Sequence, residues 1–239
     1  MPKEFTAQVL QVIDRAYNVK SVRLSLPEPV EFIAGQYMLV TLNFEGKDLL
    51  HALSLSNSPT ETGYVEFTKK LSDSEFSHAI NQLHPGDAAR LKLPLGEFTL
   101  KPEFKKIAYI AGGIGITPIR SMIKFASDKK LDTQIVLFYS NHRPEDIVFR
   151  EDFVEMQKQN PNLKVVHTIT CPEPIKDWFG LRGYVDEEMI KSETTDYQNF
   201  VFYLCGPPRM TEVMQIMLKE KLCIPSEKIM IERFSGYQS

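Results

Sequence analysis

Apolar positions along the chain follow two different periods. In the first hundred residues they recur at every second position over short stretches. Val22, Leu24 and Leu26 alternate with Arg23 and Ser25, and Val65 and Phe67 alternate with Tyr64, Glu66 and Thr68. A period of two sends one side of a strand into a core and the other toward water. A short apolar run over 37–42 predicts a further strand. Pro27-Glu28-Pro29, Glu45-Gly46-Lys47 and Pro85-Gly86-Asp87 read as turns between them. Many short strands at this spacing predict an antiparallel barrel or sandwich. One helix interrupts them: Phe76, Ala79, Ile80 and Leu83 fall at i, i+3, i+4 and i+7, behind a capping Ser72 or Ser74.

Beyond about residue 105 the period changes. Short apolar runs at 107–111, 134–139, 164–169, 200–204 and 228–231 are separated by helical stretches, as where Met210, Val213, Met214 and Met217 share one stripe. Alternation of strand and helix predicts an α/β unit with a five-stranded parallel sheet and right-handed crossovers. Pro102 and the lysines around it break the pattern, which divides the chain into 1–100 and 101–239.

Composition narrows the function. The chain has 239 residues, enough for two modest domains, and its net charge of -3 argues against a protein that binds nucleic acid through phosphates. No apolar stretch is long enough to span a bilayer, and the N-terminal residues show no cleavable signal pattern, so a cytoplasmic protein without membrane contact is expected. Cys171, Cys205 and Cys223 are odd in number and far apart. That fits free thiols in a reducing compartment and leaves no four-cysteine set for an iron–sulfur cluster. The histidines are scattered, no Ser-His-Asp arrangement is visible, and no metal site is expected.

The strongest local signal is a strand that runs directly into Gly112-Gly113-Ile114-Gly115, after which Thr117-Pro118 opens a helix. Glycines let backbone approach a ligand, and a helix N-terminus offers unpaired N–H groups to a pyrophosphate. Read alone, the turn fits a ligand cradle and a tight strand–helix connection equally well. A second strand ends in Cys205-Gly206-Pro207-Pro208-Arg209-Met210, and ligands of open α/β sheets lie at the carboxyl ends of strands. Those two turns are therefore expected to share one edge. Arg143, after the run at 134–139, stands where an adenosine ribose is met, and its guanidinium suits a 2′-phosphate. A solvated loop arginine is the other reading of Arg143; the lack of an acidic residue directly after the strand leans toward NADPH, with Glu145 and Asp146 keeping NADH open.

Six motifs, in this order, resemble those of the ferredoxin–NADP reductase superfamily over nearly the whole chain. Ala34-Gly35-Gln36-Tyr37 is similar to its GQY strand, and His51-Ala52-Leu53-Ser54-Leu55-Ser56 takes the place of its flavin motif RxYSxxS. Ser74-Glu75-Phe76-Ser77 takes the place of GxxS, and Leu93-Pro94-Leu95-Gly96-Glu97-Phe98 resembles GPxGxF. The turns at Gly112 and Cys205 match GGxGxTP and CGPxxM. The resemblance implies an antiparallel β-barrel binding FAD, with His51, Ala52, Leu53, Ser54, Ser74 and Ser77 at the flavin. It implies an α/β domain binding NADPH or NADH through Gly112, Gly113, Gly115, Thr117, Pro118, Arg143, Cys205, Gly206, Pro207 and Met210. Hydride would pass from nicotinamide to flavin N5 beside Ser54 and Cys205, under a C-terminal aromatic, Phe234 first and Tyr237 second. Electrons would leave for an external acceptor: a ferredoxin, a flavodoxin, an oxygenase component, free flavin or oxygen.

The departures bear on the flavin. His51 stands for the family's Arg, Leu53 for its stacking Tyr and Ser74 for its Gly. Weaker FAD binding is expected, with Lys69 and Lys70 either replacing the lost charge or forming a solvated strand end. Two other functions remain compatible: a reductase of free flavin, and a non-catalytic regulatory protein. The intact nucleotide turns speak against the second.

Overall fold

The structure is a computed structural model, and it describes residues 2–232. Six strands come from the first part of the chain: β1 (Lys3–Ala16), β2 (Val19–Ser25), β3 (Tyr37–Phe44), β4 (Lys47–Ser54), β5 (Val65–Lys70) and β6 (Ala88–Leu95). Helix α1 (Glu75–Asn81) lies between β5 and β6. The strands form one antiparallel sheet in the order β4-β3-β6-β1-β2-β5. It curls until its two edges meet at a single antiparallel bridge, Leu55 to Phe67. The alternation read from the sequence is the reason: Val22, Leu24, Val65 and Phe67 point inward with Met38, Val40 and Leu91, and each is 2% exposed or less. Burying each such side chain contributes about 1.5–3 kcal/mol.

The rest of the chain builds a parallel sheet. Its elements are β7 (Lys106–Gly112), α2 (Ile116–Asp128), β8 (Gln134–Asn141), α3 (Arg150–Gln159), β9 (Leu163–Ile169), β10 (Leu181–Arg182), α4 (Glu187–Glu193), β11 (Val201–Cys205), α5 (Pro208–Glu220) and β12 (Ile229–Glu232). The strand order is β10-β9-β8-β7-β11-β12. The sheet has six strands where five were expected. The sixth, β10, is two residues long, too short for any periodicity to mark it. The central strands are apolar throughout, as sheets covered on both faces require: Ile107, Ala108, Tyr109, Ile110 and Ala111 are fully buried.

The two sheets share a core. Val19, Ala34, Phe98 and Leu100 belong to the same apolar cluster as Ile107, Tyr109, Met122 and Tyr203. Tyr203 packs edge-on against Phe98, and its hydroxyl donates to the Thr99 carbonyl at 2.9 Å. Among the described residues, no helix is long and apolar enough to cross a membrane.

Candidate cofactor-binding site

The turn after β7 and the turn after β11 touch backbone to backbone. A Cβ on Gly115 would lie 2.3 Å from the Cys205 carbonyl oxygen, and one on Gly206 would lie 3.0 Å from the Gly112 nitrogen. Gly112 is covered by Met210, whose Sδ would stand 2.3 Å from an added Cβ, and by Pro207. Gly113 differs from these. It takes φ +51°, in the left-handed region, and no atom lies within 4 Å of where a Cβ would be. The turn is thus closed on one side by packing and open on the other, at the start of α2. That geometry suits a pyrophosphate approaching backbone N–H groups. Thr117 is buried and spends its hydroxyl on the Ile114 carbonyl at 3.2 Å, and Pro118 is buried in the first turn of α2, so both shape the turn from within.

Tyr139 and Asn141 also belong to this edge. The Tyr139 hydroxyl donates to the Gly113 carbonyl at 3.1 Å and accepts from Val148 N–H at 3.3 Å, which fixes the open glycine. Asn141 is 4% exposed, and its side-chain amide has no hydrogen-bond partner among the described residues. Arg143 emerges just beyond and pairs with Glu173 at 3.3 Å, both side chains being substantially exposed. Cys205 is completely buried. Burial foremost, and Glu232 beside it, push its thiol well above the usual range, so it stays protonated. Burial also raises Glu232.

On the other side, β4 carries His51 and Leu53 on one face, with Ala52 exposed on the opposite face. The His51 ring lies 4.1 Å from that of Phe76 in α1. Burial first, and the charge of Lys69 second, lower the His51 pKa, so the ring is neutral where an arginine would be charged. Leu53 packs against the barrel core. Ser54 ends β4 opposite Tyr37 and is 7% exposed. Ser74 caps α1 by accepting from Ser77 N–H at 3.3 Å, and the Ser77 hydroxyl accepts from Ser72 N–H at 3.0 Å. Lys70 faces Asp146 at 3.8 Å. Lys69 is held low by burial and has no carboxylate within 4.0 Å among the described residues. A desolvated, unpaired cation near His51 fits an anionic group such as the FAD pyrophosphate. Phe234 and Tyr237 lie outside the described residues.

A curled antiparallel sheet beside a parallel α/β sheet, with two glycine-containing turns meeting at the carboxyl edge, defines a flavin- and nicotinamide-dependent reductase fold. Residues 7–100 match the oxidoreductase FAD-binding domain family, and residues 109–215 match the oxidoreductase NAD-binding domain family. The chain belongs to the ferredoxin–NADP reductase superfamily and carries both of its cofactor-binding domains. It is 31% identical to the phenol hydroxylase P5 protein of Acinetobacter pittii, over 88% of this chain and 60% of that one. It is 26% identical to a component of the Na(+)-translocating NADH-quinone reductase of Pseudoalteromonas atlantica, over 98% of this chain and 68% of that one. A cytochrome P450 reductase of Amycolatopsis has the same fold, with a TM-score of 0.87 at 24% identity, covering 99% of this chain and 71% of that one.

Proposed function

We propose that the protein moves hydride from NADH or NADPH to FAD and passes the electrons to an external protein, in the cytoplasm. In this reading residues 1–100 hold the flavin and residues 101–239 the nucleotide. The carrying observation is a juxtaposition. The turn at Gly113–Gly115 packs against β5, whose Phe67 bridges to Leu55, the residue after Ser54. The nucleotide turn and the flavin strand end are thus neighbours. Bound FAD supplies the chemistry by accepting hydride at N5 and releasing the electrons onward. The protein supplies position. Ser54 offers a hydrogen bond to the flavin edge, and Lys69 offers charge to its phosphates. The protonated Cys205 thiol gives a small, dry wall at the nicotinamide. The phenol hydroxylase protein and the quinone reductase component to which this chain is similar favour a protein acceptor, either an oxygenase component or a small redox carrier.

A second reading is favoured by the neutral His51 and the aliphatic Leu53: flavin held loosely enough to leave as reduced product. One preparation separates the two. Protein that emerges yellow from gel filtration, and oxidises NADH or NADPH with ferricyanide, supports bound FAD. Colourless protein that turns over only with added flavin supports the second reading. Protein inactive under both conditions overturns both.

A further inference from the structure

Arg120 lies in α2, outside both cofactor seats, and is 5% exposed. Its guanidinium reaches three separate parts of the chain. Nη1 donates to the Ser56 carbonyl at 3.1 Å, and Nη2 to Glu61 at 3.1 Å, with a second, shorter bond from Nη1 to the same carboxylate. Nε and Nη2 both donate to one oxygen of Asp152 in α3, at 3.0 and 2.7 Å. The Phe149 ring lies beneath, 5.4 Å from the guanidinium carbon. Burial opposes the charge, and the two carboxylates more than offset it. The next residue repeats the grip, because the Ser121 hydroxyl donates to the Asn57 carbonyl at 2.6 Å. Further along α2, Asp128 accepts from the Thr60 hydroxyl at 2.5 Å.

These contacts join two particular pieces of chain. Ser56 and Asn57 follow Ser54 at the end of β4. Arg120 and Ser121 follow the Gly113–Gly115 turn by little more than one helical turn. Helix and strand end are stiff, so a bond between them transmits position. We propose that Arg120 is the positioning residue that sets the distance and angle between nicotinamide and flavin. The inference rests on the proposed function. Reactant geometry is steeply sensitive, since a misplacement of about 1 Å can cost about a hundredfold in rate. A planar fork with five donors can hold Ser56, Glu61 and Asp152 at once, whereas a lysine ammonium cannot reproduce that fork.

The test uses Arg120→Lys and the milder Ser121→Ala in the full chain. Expected for Arg120→Lys are an unchanged flavin content and a nucleotide dissociation constant within about twofold of wild type. Flavin reduction in stopped flow should slow by about tenfold or more. The long-wavelength absorption that forms when nicotinamide stacks on oxidised flavin should weaken in parallel. A merely structural role would instead lower melting temperature and flavin content and leave the reduction rate of the loaded fraction unchanged. Ser121→Ala should shift the rate in the same direction by a smaller factor, and it carries the test if Arg120→Lys does not fold. Wild-type reduction rates in loaded variants overturn the proposal while the functional reading stands. Wild-type protein that neither nucleotide reduces overturns both.

Discussion

Gly115 is boxed in by main chain, not by a flexible side chain. A Cβ there meets the carbonyl carbon and oxygen of Cys205 at 2.5 and 2.3 Å. The sequence explained this glycine by the approach of a phosphate, but the closer constraint is the approach of the second turn. Gly115→Val should therefore part the two turns and raise the KM for NAD(P)H by about tenfold or more while flavin absorbance stays intact. An unchanged KM in steady-state assays would show that the turns do not form the nucleotide site. Arg143 poses a different question at the same edge. Its partner Glu173 neutralises the guanidinium that a 2′-phosphate would need and would itself repel that phosphate. Glu173→Gln should raise kcat/KM for NADPH relative to NADH by about two- to fivefold, the range of an exposed charge contact. Arg143→Ala should move the ratio the other way. If neither substitution changes the ratio, this pair does not read the ribose.

Strand β9 carries a histidine that makes the parallel sheet acid-sensitive. His167 is flanked by the Tyr139 ring at 5.8 Å, and its Nδ1 has no hydrogen-bond partner among the described residues. Burial first, and the Arg150 charge second, lower its pKa to about 4. The unfolded chain would take up that proton near pH ~6.5, so it binds more protons than the folded one in between. The contribution is fully present above pH ~6.5 and is lost as pH falls toward 4, amounting to roughly 3 kcal/mol at most. Chemical denaturation at pH 7 and pH 4.5 should show this loss, and His167→Gln should remove much of it. An identical pH dependence in the variant would assign the acid sensitivity elsewhere. At this scale the sequence was partly legible. The helix over 75–81 announces itself by one buried face, and the central parallel strands by short apolar runs buried on both faces. Strand β1 does not, since irregularities between Val9 and Gln11 and between Asp14 and Ala16 break its period of two. Arg120 was hidden for another reason. Its partners Glu61 and Asp152 are 59 and 32 residues away in the chain, and no local pattern records such a meeting. The resemblance to a flavin motif was legible from order and spacing, whereas the packing of the His51 ring against Phe76 needed the fold.

The molecule as a whole should unfold as one unit. The core containing Val19, Ala34 and Phe98 continues into Tyr109 and Tyr203, and α2 is bonded to residues 56–60. Separating the halves would expose that apolar surface and strand the buried Arg120 charge, which is strongly destabilising. Calorimetry should show a single transition, with flavin release at the same temperature. Two resolved transitions would mean that the interface contributes little. The arrangement of strands has a consequence for recognition. The curled sheet brings its two edges together at Leu55 and Phe67, and the parallel sheet ends on one side in the two residues of β10. Around that junction, and along an edge as short as β10, few free main-chain groups are left for another polypeptide to pair with. At these edges, strand addition, a common way for one protein to capture an extended segment of another, is largely closed off. A protein that collects the electrons there must therefore be recognised by side-chain shape and charge, so binding to such a partner should weaken with added salt.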